Sequence, residues 1–461
     1  MTATPRAAGG PFSWRLVTPL FIGSAINAVN TSLIATALVP IADAVHVSVG
    51  RTAVLVSALY LASAIAQPVG GKLAEEFGAR RVFLSGLAVV MVGGVLGGTC
   101  QDLTALVVAR VLIGTGSSAV YPSAMLLIRR RARTAGLSAP PGGVLGGLMI
   151  AGAATSALGL PLGGVLIGVW GWRAAFLVNL PVALLAWVMG RLWIPADPPA
   201  ARGRGSLREL DVVGIAGFGL AMTALLVFLM GLPRPDWNAL GLAVALSTWL
   251  VVWELRVPSP FIDVRLLRTN RSLTRTYVRF ATASLCVYTV LYGLTQWLQA
   301  GRGLSAEKAG LLLLPMTVTS ALLAQPIARR NLVRGPLLAA AVSCLAASAG
   351  VLALTGGTPI GWIVAITLVF GVTLGATVSA NQTVLYVQAP ADQAGTAAGL
   401  LRTSGYLGSI ASSALISIVF HTRVDDERLH SLAWPMIAVS VLAVIVVITD
   451  RAVMSTSRIQ G

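Results

Sequence analysis

Charged residues are scarce in this chain, and acidic residues are the scarcest. Its 461 residues include 16 Asp and Glu against 33 Lys and Arg, and charged residues make up only 11% of the total. Soluble domains carry about 25% charged residues, whereas hydrophobic residues make up 56% of this chain. Such a composition leaves too little polar surface to cover a water-soluble protein. It excludes an ordinary soluble protein and predicts that membrane lipid surrounds most of the chain.

Lysine and cysteine are also nearly missing. Lys72 and Lys308 are the only lysines, and Cys100, Cys286 and Cys344 are the only cysteines. The cysteines lie within or at the ends of apolar stretches without metal-ligand spacing, so we interpret them as buried small side chains. The sequence also lacks a phosphate-binding Walker loop, a G-x-S-x-G nucleophile motif and a metal-ligand cluster. We therefore expect no enzyme, no cofactor and no metal site.

The net charge of +17 would indicate nucleic-acid binding in a soluble protein. Here the arginines are concentrated in short loops between apolar stretches, which is the pattern that orients membrane proteins with their basic loops inside. We expect no nucleic-acid partner.

Fourteen apolar stretches are long enough to cross the hydrocarbon layer as helices, which takes about 20 residues. The first stretch is too long for a signal peptide and has no convincing cleavage site. The predicted spans are 16–44, 52–71, 82–100, 103–127, 143–168, 174–193, 212–232, 239–255, 277–298, 309–328, 336–356, 360–386, 396–420 and 432–450.

Alternate loops carry the arginines. One set of loops holds Lys72, Arg80, Arg81, Arg129, Arg130, Arg131, Arg133, Arg202, Arg204, Arg208, Arg256, Arg265, Arg268, Arg271, Arg275, Arg329, Arg330 and Arg334. We call the side formed by these loops the arginine-rich face and the opposite side the arginine-poor face. The positive-inside rule predicts that the arginine-rich face and both termini are cytoplasmic, in a bacterial inner membrane. An even number of spans agrees with that orientation.

A short repeat suggests two related halves. Ala-Gln-Pro-Val at 66–69 ends the second span before a basic loop, and Ala-Gln-Pro-Ile at 324–327 ends the tenth span before another. Paired six-helix halves around a midplane site are a recurring transporter architecture. The sequence therefore predicts an all-α membrane protein with a six-helix bundle in 1–193, an inserted two-helix segment in 194–276 and a second six-helix bundle in 277–461.

The loop 71–81 reads G-K-L-A-E-E-F-G-A-R-R. Its glycines permit a tight turn, and its charges can form a breakable network at a helix end. An ordinary positive-inside loop explains it equally well. The segment resembles the loop signature of the major facilitator superfamily, although Glu75, Glu76 and Ala79 depart from it. The resemblance implies a latch between conformations, formed by Gly71, Glu75, Gly78 and Arg80.

Two spans carry further resemblances to this family. Arg110-Val-Leu-Ile-Gly-Thr-Gly in the fourth span resembles the R-x-x-x-G-x-G pattern. Because a charge inside a span is costly, the Arg110 side chain faces either a polar interior or a partner, or it extends to the membrane interface. Gly159-Leu-Pro-Leu-Gly-Gly in the fifth span resembles the antiporter signature with its proline moved by one position. The small residues permit tight helix packing, and the resemblance implies a gating role for Gly159, Pro161, Gly163 and Gly164.

The segments 172–181, 258–267, 301–315 and 394–400 resemble, in order, parts of the fourteen-helix drug:proton antiporter branch of the superfamily. The resemblance implies the major facilitator fold, with two six-helix bundles plus two inserted helices. It also implies proton-driven export of drugs or similar compounds.

The acidic residue that this branch usually carries in its first helix is missing, and Asn30 stands in its place. No Asp or Glu lies in the middle third of any predicted span, and a proton-coupling group normally titrates inside the cavity. His46 and His421 fit surface positions better than a proton relay. Asp43, at the end of the first span, is the best remaining carboxylate, so the predicted proton-coupling residues are Asp43 and Arg110.

Polar and aromatic side chains inside the spans are candidates to line a substrate cavity, because amides and amphipathic rings suit bulky, weakly polar ligands. Each of them could instead make an interhelical hydrogen bond. The candidates are Asn27, Asn30, Tyr60, Gln67, Arg110, Tyr121, Tyr288, Tyr292, Gln296, Gln299, Asn381 and Gln382.

The sequence predicts a monomeric secondary transporter that exports small amphiphilic compounds, and proton coupling is expected from the resemblance alone. A cavity with Arg110 and no fixed acid favours anionic or neutral compounds over strongly cationic ones. An uncoupled facilitator or importer, and a membrane sensor that transports nothing, stay open as alternatives.

Overall fold

The computed structural model describes residues 12–449 except 138–141, 198–210, 231–235, 259, 263, 330–331 and 389–393. All regular secondary structure in these residues is helical. This confirms the predicted all-α fold class.

The N-terminal bundle is built from the helices between residues 14 and 193. Gly78, with a φ of 104°, separates two of its helices with a sharp turn, and Asp102 caps the start of another by accepting a hydrogen bond from the Ala105 N–H at 2.9 Å. The helices are α1 (Trp14–Ala44), α2 (Val49–Thr52), α3 (Val54–Phe77), α4 (Ala79–Thr99), α5 (Leu103–Thr134), α6 (Gly142–Trp170), α7 (Ala174–Leu177) and α8 (Asn179–Trp193).

The inserted segment is a helical hairpin of α9 (Val212–Met230) and α10 (Trp237–Glu254), followed by the short α11 (Val264–Thr269). Asp211 holds the hairpin together at its base, where the carboxylate accepts hydrogen bonds from the Gly214 N–H and the Trp253 indole, both at 2.8 Å. The α9 helix contacts α3 and α16, whereas α10 packs mainly on α9. The hairpin therefore lies at the side of the molecule.

The C-terminal bundle begins with α12 (Arg271–Thr289), which continues as two π-helical segments, Val290–Leu294 and Trp297–Gly301. The other helices of this bundle are α13 (Ala306–Arg329), α14 (Arg334–Val351), α15 (Ile360–Gln388), α16 (Ala394–Val419) and α17 (Asp426–Thr449).

Each predicted span coincides with a helix of the structure. Eleven helices among the described residues are long and apolar enough to cross a membrane, and the shorter stretches Leu158–Trp170 and Val212–Phe228 are also apolar. The chain therefore crosses a membrane many times. The count of fourteen crossings and the predicted domain limits stay predictions.

The two bundles pack together along two seams, α6 with α13 and α16 with α3. At the arginine-poor face the contact involves backbone: the Gly50 N–H donates to the Phe420 carbonyl at 3.2 Å. A Cβ atom on Gly164 would lie 2.6 Å from the Ala306 carbonyl oxygen, so α6 and α13 also approach closely there. In this conformation the arginine-poor face is closed.

Candidate functional site

Four of the seven tyrosines meet between the bundles. The ring of Tyr60, on α3, lies with its centroid 5.3 Å from that of Tyr288 and 5.7 Å from that of Tyr406, and the rings of Tyr288 and Tyr292 stack at 5.9 Å. We call these four residues the tyrosine cluster. Because Tyr60 belongs to the N-terminal bundle and the other three to the C-terminal bundle, the cluster joins the two halves of the molecule.

Hydrogen bonds cross the same interface. The hydroxyls of Tyr60 and Tyr292 lie 3.0 Å apart, the Tyr292 hydroxyl donates to the Thr31 carbonyl at 2.8 Å, and the Tyr406 hydroxyl donates to Gln67 Oε1 at 2.8 Å. Amphipathic rings of this kind suit a bulky, weakly polar ligand. These cross-bundle bonds must break before the bundles can separate here, so the cluster can serve as both contact surface and gate.

Tyr292 lies in the first π-helical segment that extends α12. Such wide turns are rare and often occur at functional sites. Gln296 lies between the two π segments; its side chain is fully buried, and both of its side-chain polar atoms have no hydrogen-bond partner among the described residues. A buried polar group without a partner costs about 1–3 kcal/mol. This stretch of helix is therefore less favourable than a regular, fully bonded one.

Arg110 is 2% exposed, and its guanidinium faces the inside of the N-terminal bundle. Its Nε donates to the Leu55 carbonyl at 3.1 Å and its Nη2 to the Asn30 carbonyl at 3.2 Å. The side chain does not reach out to the membrane interface. It connects α5 to α3 and α1. The Asn30 carbonyl that it binds directly precedes the Thr31 carbonyl, which accepts the Tyr292 hydrogen bond.

Two predicted site residues make hydrogen bonds within the N-terminal bundle. The amides of Asn30 and Asn179 form a reciprocal pair at 2.6 and 3.1 Å, so the Asn30 side chain faces α8 rather than the tyrosine cluster. Asn27 Nδ2 donates to Ser117 at 3.1 Å and to Ser118 at 3.2 Å, which joins α1 to α5.

Asn381 lies in a separate place, inside the C-terminal bundle. Its Oδ1 accepts a hydrogen bond from Arg279 Nε at 2.9 Å. The two side chains line a pocket together with Cys286, Cys344 and Ser440. Gln299 is buried and Gln382 half-buried, without a contact to the tyrosine cluster among those described. The predicted substrate residues thus divide between the bundle interface and the bundle interiors.

Tyr121 lies at the interface, where the Arg402 guanidinium is stacked 4.4 Å from its ring centroid. Tyr121 belongs to α5 and Arg402 to α16, so the contact crosses between the bundles. Tyr406 lies one helical turn further along α16 on the same helix face. This cation–π pair therefore extends the tyrosine cluster towards the arginine-rich face.

A carboxylate from a distant part of the chain binds to the predicted latch segment 71–81. Asp197, just after α8, accepts hydrogen bonds from the backbone N–H groups of Arg80 and Arg81, both at 3.1 Å, and lies 3.4 Å from the Arg130 guanidinium. A Cβ atom on Gly78 would collide with Asp197. Glu75 is exposed, and a Cβ atom on Gly71 would lie 3.6 Å from the Pro122 side chain.

The glycines of the fifth span let α6 approach its neighbours. A Cβ atom on Gly159 would meet the Ser32 hydroxyl, and one on Gly163 would lie 2.8 Å from the Thr36 hydroxyl, both on α1. Gly164 faces α13, and Pro161 is half-buried within the helix. Asp43 is exposed at the arginine-poor end of α1, away from the tyrosine cluster.

Sequence reasoning missed Arg402, Tyr406, Arg279, Asn179 and Asp197. The rule that selected Arg110, a charge inside a span, selects Arg402 and Arg279 equally well. Tyr406 could have been found as an aromatic residue inside a span. Asn179 could have been found as a polar residue inside a span, whereas no local signal marks Asp197, because its partners are distant in the sequence.

Comparisons with known proteins agree with this architecture. The family model described as Major Facilitator Superfamily matches residues 20–413. The chain is 34% identical to the uncharacterized MFS-type transporter YwoD of Bacillus subtilis (strain 168), over 96% of this chain and 98% of that protein. It is 28% identical to the tetracenomycin C resistance and export protein of Streptomyces glaucescens, over 90% of this chain and 77% of the relative.

Solved structures support the fold. The nucleoside transporter NupG aligns with a TM-score of 0.65 at 11% identity, over 94% of this chain and 99% of that one. The structure of tetrameric PepTSo2 aligns with a TM-score of 0.67 at 14% identity, over 97% of this chain and 99% of that one.

Proposed function

Because this chain belongs to the Major Facilitator Superfamily, whose members are transporters rather than enzymes, we propose that it exports small amphiphilic compounds, drugs or self-made metabolites, in exchange for protons. Some similar proteins are named for resistance to, or export of, antibiotics such as tetracenomycin C and methylenomycin A. Those names support export of a comparable compound class by this chain.

The observation that carries the proposal is the tyrosine cluster between the bundles. Its hydrogen bonds link opposite halves of the molecule at 2.8–3.0 Å, and they must break and re-form if the halves rock around a central site. A rigid scaffold has no need of such a polar and aromatic interface. The ligand would bind among Tyr60, Tyr288 and Tyr292, beside Gln67 and Tyr121.

We place the arginine-rich face in the cytoplasm of a bacterial cell, with both termini on that side. The closed arginine-poor face then faces outward, so this conformation is closed to the outside. The molecule would work as a monomer surrounded by lipid, with Gly71, Glu75, Gly78, Arg80, Gly159, Pro161, Gly163 and Gly164 in the moving contacts.

Proton coupling is assigned to Asp43 and Arg110. Arg110 lies beside the tyrosine cluster, whereas Asp43 is exposed at the end of α1. A second candidate function is an uncoupled facilitator or importer. Far from the helix ends, at seven or more positions from both ends of a described bundle helix, every charged residue is an arginine. The absence of a carboxylate at these positions, where a proton-coupling group normally titrates, favours this second candidate. A membrane sensor on the same fold is the third candidate.

The test is transport in proteoliposomes that contain neutral, anionic and cationic amphiphiles, with and without a pH gradient. Wild type is compared with Asp43→Asn and with Asp102→Asn, which alters a capping carboxylate near the same face. Accumulation that needs the gradient and disappears only in Asp43→Asn supports antiport through Asp43.

Other outcomes point to the other candidates. Equilibration that ignores the gradient supports a facilitator. No movement of any compound by folded protein contradicts transport and favours the sensor.

A further inference from the structure

Arg402 occupies an unusual position for a charged residue. It lies eight residues into α16 (Ala394–Val419), more than two helical turns from the arginine-rich end of that helix. A charge at such a depth in a membrane protein is costly and marks a functional position by default. The residues around it show which way it faces: Gly405 and Gly408 pack on Phe280 and Ala281 of α12, whereas Tyr406 bonds to Gln67 on α3. Arg402 shares the second face, which is turned to the opposite bundle.

Three arginines lie seven or more residues from both ends of a described bundle helix, namely Arg110, Arg279 and Arg402. Arg110 and Arg279 are buried and bonded to carbonyl or amide oxygens. Arg402 differs because its side chain is exposed and stacked on a ring of the other bundle. It is thus the deep cation that a ligand between the bundles can reach without rearrangement of a bundle interior.

We infer that Arg402 and Tyr121 form an anion-recognition site for aromatic substrates that carry a fixed negative charge, such as a sulfonate or a carboxylate. The inference deepens the proposed function by naming its substrate class, and it rests on that function only for the role of binding in export. A planar guanidinium matches the paired oxygens of such groups with two hydrogen bonds.

The neighbouring side chains supply the rest of the site. A cation–π contact at an exposed position is weak, so an anion can replace the Tyr121 ring at the guanidinium. The freed ring and Tyr406, one turn further along α16, then offer faces on which an aromatic substrate can stack. The anionic group would remain near the arginine-rich face while the aromatic part points to the tyrosine cluster.

A direct binding measurement tests this inference independently of transport. The probes are naphthalene sulfonate and the neutral naphthalene sulfonamide, which share a ring and differ in charge. Each is measured by equilibrium dialysis against the full chain in lipid nanodiscs, with empty nanodiscs as the blank. The variants are Arg402→Gln, which removes the charge, and Arg402→Lys, which keeps the charge but loses the planar fork.

The chain offers a matched control in Arg173, which stacks on Trp172 at the same 4.4 Å within the N-terminal bundle. We expect Arg402→Gln to weaken sulfonate binding about tenfold, as the loss of charged hydrogen bonds does, and to leave sulfonamide binding within about twofold. Arg402→Lys should lie between wild type and Arg402→Gln, and Arg173→Gln should change neither probe.

Several results would overturn the inference. Equal weakening of both probes in Arg402→Gln would make Arg402 a brace between the bundles, and unchanged sulfonate binding would remove it from the site. If Arg402→Gln fails to fold, equal wild-type affinity for the two probes still refutes the inference. Selective sulfonate binding without transport supports the anion site and contradicts export. Export of both probes with no preference between them supports export and contradicts the anion site.

Discussion

At the scale of single residues, Asp197 organises the turn between α3 and α4. Its side chain is 4% exposed, bonds to two backbone N–H groups at the start of α4, and lies 3.4 Å from Arg130 on α5. A carboxylate at a helix N-terminus is favourable because it pairs with free N–H groups and with the helix dipole. One side chain thus joins three elements at the arginine-rich face.

We predict that Asp197→Asn lowers the free energy of unfolding by about 1–2 kcal/mol, because it removes the charge from a buried, multiply bonded group. The measurement is the thermal midpoint of the purified protein in detergent. Glu75→Gln is the matched control: Glu75 is exposed near the end of α3, beside the same turn, so its change should stay within about 0.5 kcal/mol. A larger loss in Glu75→Gln than in Asp197→Asn would return the central role in this loop to Glu75.

At the scale of helices, α6 is held between α1 and α13 by residues without side chains. Gly159 and Gly163 face Ser32 and Thr36 on α1, and Gly164 faces the backbone of α13. Helix association in lipid depends on this close packing, because burial of apolar surface supplies little drive there. The position of α6 is therefore sensitive to single methyl groups.

We predict that Gly159→Ala destabilises the protein by about 1–3 kcal/mol, the usual cost of overpacking, because the new methyl group meets the Ser32 hydroxyl. Adding Ser32→Ala should restore part of the loss by removing that hydroxyl. Gly168→Ala on the same helix has open space around it and should be neutral or stabilising. Thermal midpoints of these four proteins check the prediction, and equal effects at both glycines would contradict it.

The elements were largely predictable, and the side-chain partners were not. Each of the fourteen predicted spans coincides with a helix, because an apolar run long enough to cross a membrane is a local property of the sequence. No sequence pattern in 290–301 predicts the π-helical continuation of α12. Likewise, the sequence is equally consistent with Asn30 lining a cavity and with Asn30 pairing with Asn179. Which residue a side chain meets depends on packing between helices distant in the sequence, and this also hid the role of Asp197 and the contact of Arg402 with Tyr121.

At the scale of the whole molecule, the two bundles are joined by polar contacts in the middle and by backbone contacts at the arginine-poor face. The Tyr292 hydroxyl bridges Tyr60 and the Thr31 carbonyl, while the Gly50 N–H reaches the Phe420 carbonyl. Opening of the arginine-poor face must break both sets. Their strength therefore sets the balance between the closed and open states.

We predict that Tyr292→Phe shifts this balance towards opening of the arginine-poor face by about 2 kcal/mol, the value of two hydrogen bonds. Tyr277→Phe is the matched control, because that hydroxyl bonds to the Ala397 carbonyl within the C-terminal bundle. It should leave the balance unchanged.

The measurement is the distance between spin labels at Arg51 and Thr422, which are exposed on opposite bundles at that face, in a background without native cysteines. Tyr292→Phe should increase the population at long distance. The same distance distribution in wild type and Tyr292→Phe would show that the hydroxyl does not hold the closed state.

In the described bundle helices, the charged residues far from the helix ends are all arginines, and this has a consequence for the source of energy. A cell keeps its cytoplasm electrically negative, so an organic anion that leaves it gains about 2.3 kcal/mol per elementary charge for each 100 mV of membrane potential. That is about a fiftyfold concentration ratio at 100 mV. A carrier whose deep charges select anions could thus export its substrate with the membrane potential as the only driving force. Such a carrier would need no central carboxylate to couple export to protons.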